Sequence, residues 1–512
     1  MPLSWLIGAL VGLLTAGAAV GAGEAVAAFV RPESSPIIVV GNRFILLTPE
    51  SVRRWAIRQF GTGDKAALLT GIYVVIAVLA VVLGILALRR LVFGLAGLGL
   101  FGAIGVYSAL TTHAHRASDV IPTIVGLLLA GYVLWLLERA VNGDAGSSPG
   151  TGGLADRRLF LQGSVAIAGL AALAGFGGRA LQHTRYDAGA SRARIALPPV
   201  EAAAVPPGAD LGQSGQPWAT PSADFYRIDT ALSVPQLDPN TWRLKIHGMV
   251  ERELTLNYQQ VLALPQIERW ITLACVSREV SGPYDNLIGN ARFQGTLLAE
   301  VLRKAGIQPG ADQLVMRSVD GMTIGAPIAA IMDGRDALLA VGMNGQPLPV
   351  EHGFPVRTVI PGLYGYVSAC KWVVDLEVTT FAAFDAYWVR AGWVQQGPVV
   401  LSSRIDRPEG SQSLTVGQQV PIAGVAWEQH VGVSKVEVQI DNGPWQAARL
   451  ANVASVDTWC QWTLPWTPAT SGPHTIRVRA TDANGTGQLA TNHEPFPSAA
   501  TGLHEITVNA HA

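Results

Sequence analysis

Cysteine and charge are what this 512-residue chain has least of. Its three cysteines, Cys275, Cys370 and Cys460, are too few for a disulfide scaffold, a four-cysteine iron–sulfur cluster or a zinc ribbon. The sequence contains no Cys-x-x-Cys-His, which excludes a c-type haem attached through that motif. Charged residues make up only 14%, against about 25% in an ordinary soluble chain. The formal net charge of −1 leaves no surplus of cations to neutralise a run of phosphates, so a nucleic-acid binder is not expected. No internal repeat is evident. Apolar side chains fill the gap, at 49% of the sequence. Such a chain holds more than one core, and part of it belongs in lipid.

The apolar residues gather at the front. Residues 3–23, 66–88, 91–110, 120–137 and 159–178 are each close to the roughly 20 residues an α-helix needs to cross a bilayer. Arg89 and Arg90 stand in the tight turn between the second and third runs, and Arg139, Arg157 and Arg158 follow the fourth. Cytoplasmic loops collect such residues, so the fifth run is expected to deliver the rest of the chain to the outside. The loop over 31–65 carries Arg43, Arg53, Arg54 and Arg58 on the side that should be external, and its segment 51–60 reads as a short helix on the membrane surface. The spans hold no histidine, since His113 and His115 fall in the loop after the third run; a haem between the helices is therefore not expected. Before the fifth run, Arg157-Arg158-Leu159-Phe160-Leu161 resembles a twin-arginine export signal, with Asp156 and Gln162 departing from that pattern.

The expected architecture is multi-domain: a transmembrane α-helical region over 1–182, a linker rich in Ala, Gly and Pro over 183–217, a mixed α/β domain over 218–396 and an immunoglobulin-like β-sandwich over 397–512. Residues 241–247 and 270–274 read as strands, and Thr296 as the N-cap of a helix over 297–304 closed by Gly306. After Pro398 the pattern alternates with period two, most cleanly over 434–441, which ends in the hairpin signal Asn442-Gly443. Trp427, Trp445, Trp459 and Trp462 are expected in the core and rim of that sandwich, and Cys370 and Cys460 are candidates for pairing in an oxidising compartment.

Cys275 comes directly off the strand Ile271-Thr272-Leu273-Ala274 into a polar stretch with Ser277, Arg278 and Glu279, a setting in which a thiol becomes a thiolate. A lone cysteine so placed is most often a core residue, and its company decides otherwise. Leu273-Ala274-Cys275, the segment Ile288–Gly295, the block Met343-Asn344-Gly345-Gln346-Pro347-Leu348-Pro349 running on to His352-Gly353-Phe354-Pro355-Val356-Arg357, then Pro361-Gly362-Leu363-Tyr364-Gly365 and Lys371-Trp372 together resemble the sulfite oxidase family of molybdopterin enzymes, over about residues 220–510. The resemblance implies a molybdenum–molybdopterin cofactor (Moco), one pyranopterin dithiolene and one protein thiolate holding the metal. It implies Cys275 as that metal ligand, which suits a soft sulfur donor. It implies Asp320, His352, Arg357, Ser368 and Lys371 as cofactor contacts. Tyr226, Arg227 and Asp229 are implied by Phe225-Tyr226-Arg227-Ile228-Asp229, where the family carries Phe-x-Arg-Asn-His and the histidine is missing. Arg278 stands where the family has paired arginines, and Tyr387 is matched to the tyrosine that lies over the metal; both are expected to be catalytic. Arg390 and Arg404 are further anion contacts on the same reading.

The resemblance also makes the sandwich a dimerisation-type domain. The expected activity is two-electron oxygen-atom transfer on a small oxyanion, with electrons passed to or from a separate carrier, a cytochrome or a quinone-linked protein. Two other readings stay open: a reductase of sulfoxide-type substrates, and a cofactor-free binding or assembly module on the same fold.

Overall fold

The computed structural model describes residues 3–49, 52, 55–56, 59–60, 64–111, 116–142, 155–280 and 286–512. Chain contacts divide it into two compact units. One holds residues 1–188 together with two short segments, 230–236 and 319–321; the other holds 189–229, 237–318 and 322–512.

The first unit is a helix bundle. Its helices are α1 (Leu3–Val30), α2 (Pro36–Leu47), α3 (Asp64–Arg89), α4 (Leu91–Leu110), α5 (Ile121–Asn142) and α6 (Ala155–Arg185). Five of them, all but α2, are long and apolar enough to cross a membrane. The first and last run further than the apolar patterning predicts: α1 continues past Glu24, and α6 begins ahead of its apolar run. A hydrophobicity count stops at a charge. The backbone does not, because Glu24 is buried and partnered, accepting from Ser35 Oγ at 2.7 Å and from Gln182 Nε2 at 3.2 Å, with Arg179 at 3.6 Å. The helix α2 was not legible among the arginines of its loop. The surface segment 51–60 lies in large part outside the described residues, as do His113, His115 and the side chains of Arg157 and Arg158.

Small residues set the bundle's spacing. A Cβ on Gly12 would lie 1.8 Å from the Ala80 carbonyl oxygen of α3, and one on Gly21 2.4 Å from that of Ala171 in α6. Without a hydrophobic force between helices in lipid, such close backbone approach is what holds them together. These approaches, and that of Gly178 to Ala25, make α6 parallel to α1; Gly8 against Ile85 and Gly126 against Ala19 make α3 and α5 antiparallel to it.

The second unit contains two five-stranded sheets and a sandwich. Its first ten strands are β1 (Arg243–Gly248), β2 (Leu254–Asn257), β3 (Ile267–Ala274), β4 (Ile288–Leu297), β5 (Gln313–Ser318), β6 (Thr323–Pro327), β7 (Leu338–Met343), β8 (Gln346–Pro347), β9 (Arg357–Val359) and β10 (Val373–Thr379). One sheet has the order β2-β1-β10-β5-β6, with β1 and β10 parallel; the other has the order β3-β4-β7-β8, with β9 also on β7. The expected helix starts one residue late, at Leu298, because Thr296 is buried in β4 and no side chain caps the helix. Gly306 ends it with φ of 74°.

The sandwich pairs β11 (Ser402–Arg407), β13 (Val420–Trp427), β16 (Arg449–Leu450) and β17 (Cys460–Trp466) against β12 (Ser413–Thr415), β14 (Val433–Ile440), β15 (Gln446–Ala447), β18 (Gly472–Asp482) and β19 (His504–His511). Inward residues of both sheets, among them Ile422, Val436, Trp462, Ile476 and Val508, form its core. All three cysteines are free.

Residues 189–217 do not hang loose. Trp270 Nε1 donates to Ala203 O at 2.9 Å, Gln294 Nε2 to Pro198 O at 2.8 Å, and Leu211 N to Gln461 Oε1 at 2.8 Å. The strap therefore touches both the mixed domain and the sandwich.

Candidate active site

The strand β3 is buried along almost its whole length, and the sandwich holds its end in place. Thr272 is the fixed point. Its N–H donates to Asp457 O at 2.9 Å, its carbonyl accepts from Gln429 Nε2 at 3.1 Å, and its hydroxyl oxygen accepts from Trp459 N at 2.8 Å. Three residues on, Cys275 leaves the strand; its N–H donates to Leu287 O at 2.9 Å, and Arg278 N turns back to its carbonyl at 3.2 Å. Burial pushes the thiol up, while hydrogen bonds from the backbone and side chain of Ser277 act in the opposite sense. Binding of a cation there would release the thiol's proton and offset the burial.

The charge of Cys275 reaches two phenols, those of Tyr226 and Tyr364. Both phenols are pushed up, first by burial, with the charge of Cys275 adding to the effect in each. Tyr226 also joins Cys275 to Arg357, whose charge it feels. Arg357 is buried, with Nη1 donating to His352 O at 3.2 Å and its guanidinium 5.7 Å from the Phe293 ring. Among the described residues it has no carboxylate partner. Burial pulls it down to about 10.

His352 is buried beside it, its ring 5.7 Å from that of Phe225. Nε2 lies 3.1 Å from Ser222 O, and a carbonyl only accepts, so Nε2 carries the hydrogen and Nδ1 keeps a lone pair. Burial, then Arg357 and Lys371, pulls this imidazole down to about 4. Lys371 Nζ donates to Asp229 at 2.8 Å and to Glu351 O at 3.2 Å; burial pulls it down to about 8. Asp229 also takes Arg227 Nε at 2.9 Å.

Donor chemistry fits the cofactor that the sequence suggests. A soft sulfur, an imidazole nitrogen free to accept, and three cations (Arg227, Arg357, Lys371) against two carboxylates (Asp229, Glu351) suit a metal on an anionic, phosphate-bearing ligand. A buried guanidinium without a carboxylate is costly to the chain alone.

Two expected residues sit differently. Asp320, in the turn Val319–Gly321 that follows β5, groups with the helix bundle and lines a cleft there with Arg31, Asn42 and Asp119. Its turn follows β5, in the other sheet from the β3 that carries Cys275. Tyr387 opens a one-turn helix, Tyr387–Arg390, with its N–H on Thr323 Oγ1 at 3.0 Å and its ring 5.1 Å from Trp388. It lies at the start of β6, and the phenols that feel the charge of Cys275 are Tyr226 and Tyr364. Ser368 donates its hydroxyl to the carbonyls of Leu363 and Tyr364, each at 3.0 Å, and keeps the backbone of its loop for a ligand, as the resemblance implies.

Arg278 is buried, with Nη1 on Glu279 O at 2.7 Å and its guanidinium 4.7 Å from the Trp427 ring on β13. The sandwich thus holds the Arg278 guanidinium in place. Tyr364 and Ser222 were missed as site residues; Tyr364 stood inside a recognised motif, yet nothing along the chain gave it a role.

Comparisons with known proteins point to the same cofactor. Residues 231–388 match the oxidoreductase molybdopterin binding domain, and residues 402–478 a bacterial Ig domain. The chain is 31% identical to human mitochondrial sulfite oxidase over 275 residues, covering 46% of this chain and 49% of that protein. It spans about half the length of the curated sulfite oxidases it matches. It is also 31% identical over 160 residues to the uncharacterized oxidoreductase YuiH of Bacillus subtilis, covering 31% of this chain and 76% of that one. Among solved structures, the sulfane dehydrogenase SoxCD from Paracoccus pantotrophus superposes with a TM-score of 0.50 at 21% identity, over 57% of this chain and 84% of that chain, a likeness of fold.

Proposed function

Because the chain belongs to the sulfite oxidase family of molybdopterin oxidoreductases, we propose that it is a membrane-anchored enzyme of oxygen-atom transfer that exchanges two electrons with a separate carrier, a cytochrome or a quinone-linked protein. The observation that carries this reading is a buried Arg357 without a carboxylate, beside a His352 ready to accept, in the pocket that Tyr226 connects to Cys275.

Bound molybdenum would supply the two-electron, oxygen-accepting centre. The chain's own residues bind and orient. Cys275 contributes its sulfur, and His352 offers Nδ1 to an N–H or O–H of the pterin. Arg357, Lys371 and Arg227 meet the anionic end, with Asp229 holding the last two in register. Arg278, fixed over Trp427, faces a small oxyanion or sulfoxide-type substrate.

If the five apolar helices all cross, residues after α6 would lie on the side opposite the N-terminus, and the loop arginines Arg89, Arg90 and Arg139 support a cytoplasmic face for the other end, hence an extracytoplasmic enzymatic unit. Arg157 and Arg158 would then direct export of that unit.

Elemental analysis of the purified protein for molybdenum, with pterin fluorescence after oxidation, tests the enzyme. The expected result is molybdenum and pterin in equal amounts; neither in the protein would leave a cofactor-free module. A cytoplasm-only reporter should be active when fused within 143–153 and silent after Gly208, and the reverse pattern would overturn the orientation. Arg157→Lys with Arg158→Lys should strand the enzymatic unit in the cytoplasm, and unchanged export would reduce the pair to flanking charges.

A further inference from the structure

One stretch of the sequence has no part in the mechanism above. Residues 43–65 carry five basic side chains (Arg43, Arg53, Arg54, Arg58 and Lys65) against two acidic ones (Glu50 and Asp64), on a side of the membrane where the proposed orientation leaves such an excess unexplained. Arg43 is the first of them, and it lies on α2. At 12 residues that helix is about 18 Å long, too short to cross a bilayer, and it packs against α4. Ile37, Val39 and Gly41 are buried, while Phe44 and Leu47 are 56% and 66% exposed, so α2 turns one apolar side outward. Arg43 stands half-buried beside them. Its Nη2 donates to Tyr107 Oη at 3.3 Å, and its Cζ lies 5.5 Å from the centre of that ring on α4, itself 57% exposed. Among the described residues this is the guanidinium's single hydrogen bond, although it offers five N–H groups. Nε is buried without a partner, and no carboxylate of the described residues pairs with the charge. A cation on an apolar, lipid-facing side is costly until an anion meets it.

We propose that Arg43 and Tyr107 form a binding site for the phosphate of an anionic phospholipid. The proposal rests on the membrane reading above and is independent of the chemistry at Cys275. Polar and apolar groups both suit that ligand. Arg43 Nη1 makes no hydrogen bond among the described residues and can donate to one phosphate oxygen. Tyr107 Oη accepts from Nη2, so its own hydrogen remains for a second oxygen of the same phosphate. Phe44 and Leu47 on α2, and Leu110 one turn on from Tyr107, expose apolar side chains against which acyl chains can lie. A free phosphate would use the same two donors and leave that flank bare. Arginine and tyrosine meet where a bilayer's headgroups begin, and the other cations of residues 43–65 favour a net-negative lipid over a zwitterionic one.

Native mass spectrometry of the full chain in detergent, titrated with phosphatidylglycerol or with phosphatidylcholine of identical acyl chains, reads the first lipid bound. The wild type should take the anionic lipid about fivefold more tightly. Arg43→Met should abolish that preference, and Tyr107→Phe, which keeps the ring and loses the hydroxyl, should weaken it about twofold. Arg90→Met removes the same charge at the opposite end of α4 and should leave the preference intact. Thermal unfolding of the lipid-free Arg43 variant should match the wild type, because no carboxylate is left behind. Equal affinity of the wild type for the two lipids, displacement of the bound lipid by excess inorganic phosphate, or a preference that Arg43→Met keeps or Arg90→Met loses equally would each overturn the proposal. A chain that stays dispersed without detergent and binds neither lipid would remove the membrane reading, and this proposal with it.

Discussion

The helix bundle and the Cys275 pocket treat buried charge in opposite ways. In the bundle, Arg31 closes on Asp119, with Nε on Oδ1 at 2.7 Å, and Glu24 collects Arg179, Ser35 and Gln182. In the pocket, Arg357 is more deeply buried than Arg31 or Arg179, yet among the described residues it finds only carbonyl oxygens and a ring. Lys371 is intermediate, paired with an aspartate that it shares with Arg227. A chain that faces lipid must cancel charge within itself, since isolated ions there cost several kcal/mol. A chain that leaves a buried cation uncancelled has an anion from elsewhere to meet.

The largest effect that sharpens this comparison is at the metal ligand. Cys275→Ser replaces a soft donor with a hard one at nearly the same volume, so turnover should fall by several orders of magnitude while pterin and fold are kept. Rates with ferricyanide as acceptor, beside bound pterin, check it; near-normal turnover would make Cys275 a core residue, and Cys370→Ser and Cys460→Ser are the controls. Next comes Arg31→Met, which leaves the buried Asp119 with the Arg116 N–H but without its counter-charge. It should cost about 3–5 kcal/mol in the unfolding of the detergent-purified chain.

The third effect is in pH. His352 is pulled down to about 4, so between about pH 6.5 and about pH 4 the unfolded chain binds a proton that the folded one refuses. Stability therefore rises with pH across that window and is lost on acidification, by about 3 kcal/mol for this group. Denaturant unfolding of cofactor-free protein at several pH values should show the slope, and His352→Gln should flatten it. His504, pulled down to about 4 by burial and the nearby Arg404 and Arg278, contributes a second share. The smallest effect separates the two regions most cleanly. Arg357→Met should reduce pterin retention about 10–100-fold, yet change the stability of cofactor-free protein by less than about 1 kcal/mol, because it removes a burial cost along with a charge. A loss as large as that of Arg31→Met would put both arginines in the same structural role.

Much of this contrast was legible in the sequence, for a physical reason. Length and apolarity act along one dimension, so five crossing helices could be read from runs of residues, and the order of the block from Met343 to Arg357 carried the pocket because its contacts lie on neighbouring turns of one backbone. What was missed depends on contacts that sequence order does not encode. Asp320 matched a motif, but its turn packs with the bundle. Tyr387 matched a position, while Tyr226 and Tyr364, about 140 residues apart, are the phenols that feel the charge of Cys275. Thr296 has the chemistry of a cap and lies buried in β4 instead.

The central claim is that the Cys275 sulfur belongs to a molybdenum centre. X-ray absorption at the molybdenum edge, on purified wild type and Cys275→Ser, tests it without reference to any substrate. The account predicts molybdenum in both proteins and one fewer sulfur neighbour in the variant. The same sulfur shell in both, or no molybdenum in the wild type, would contradict it.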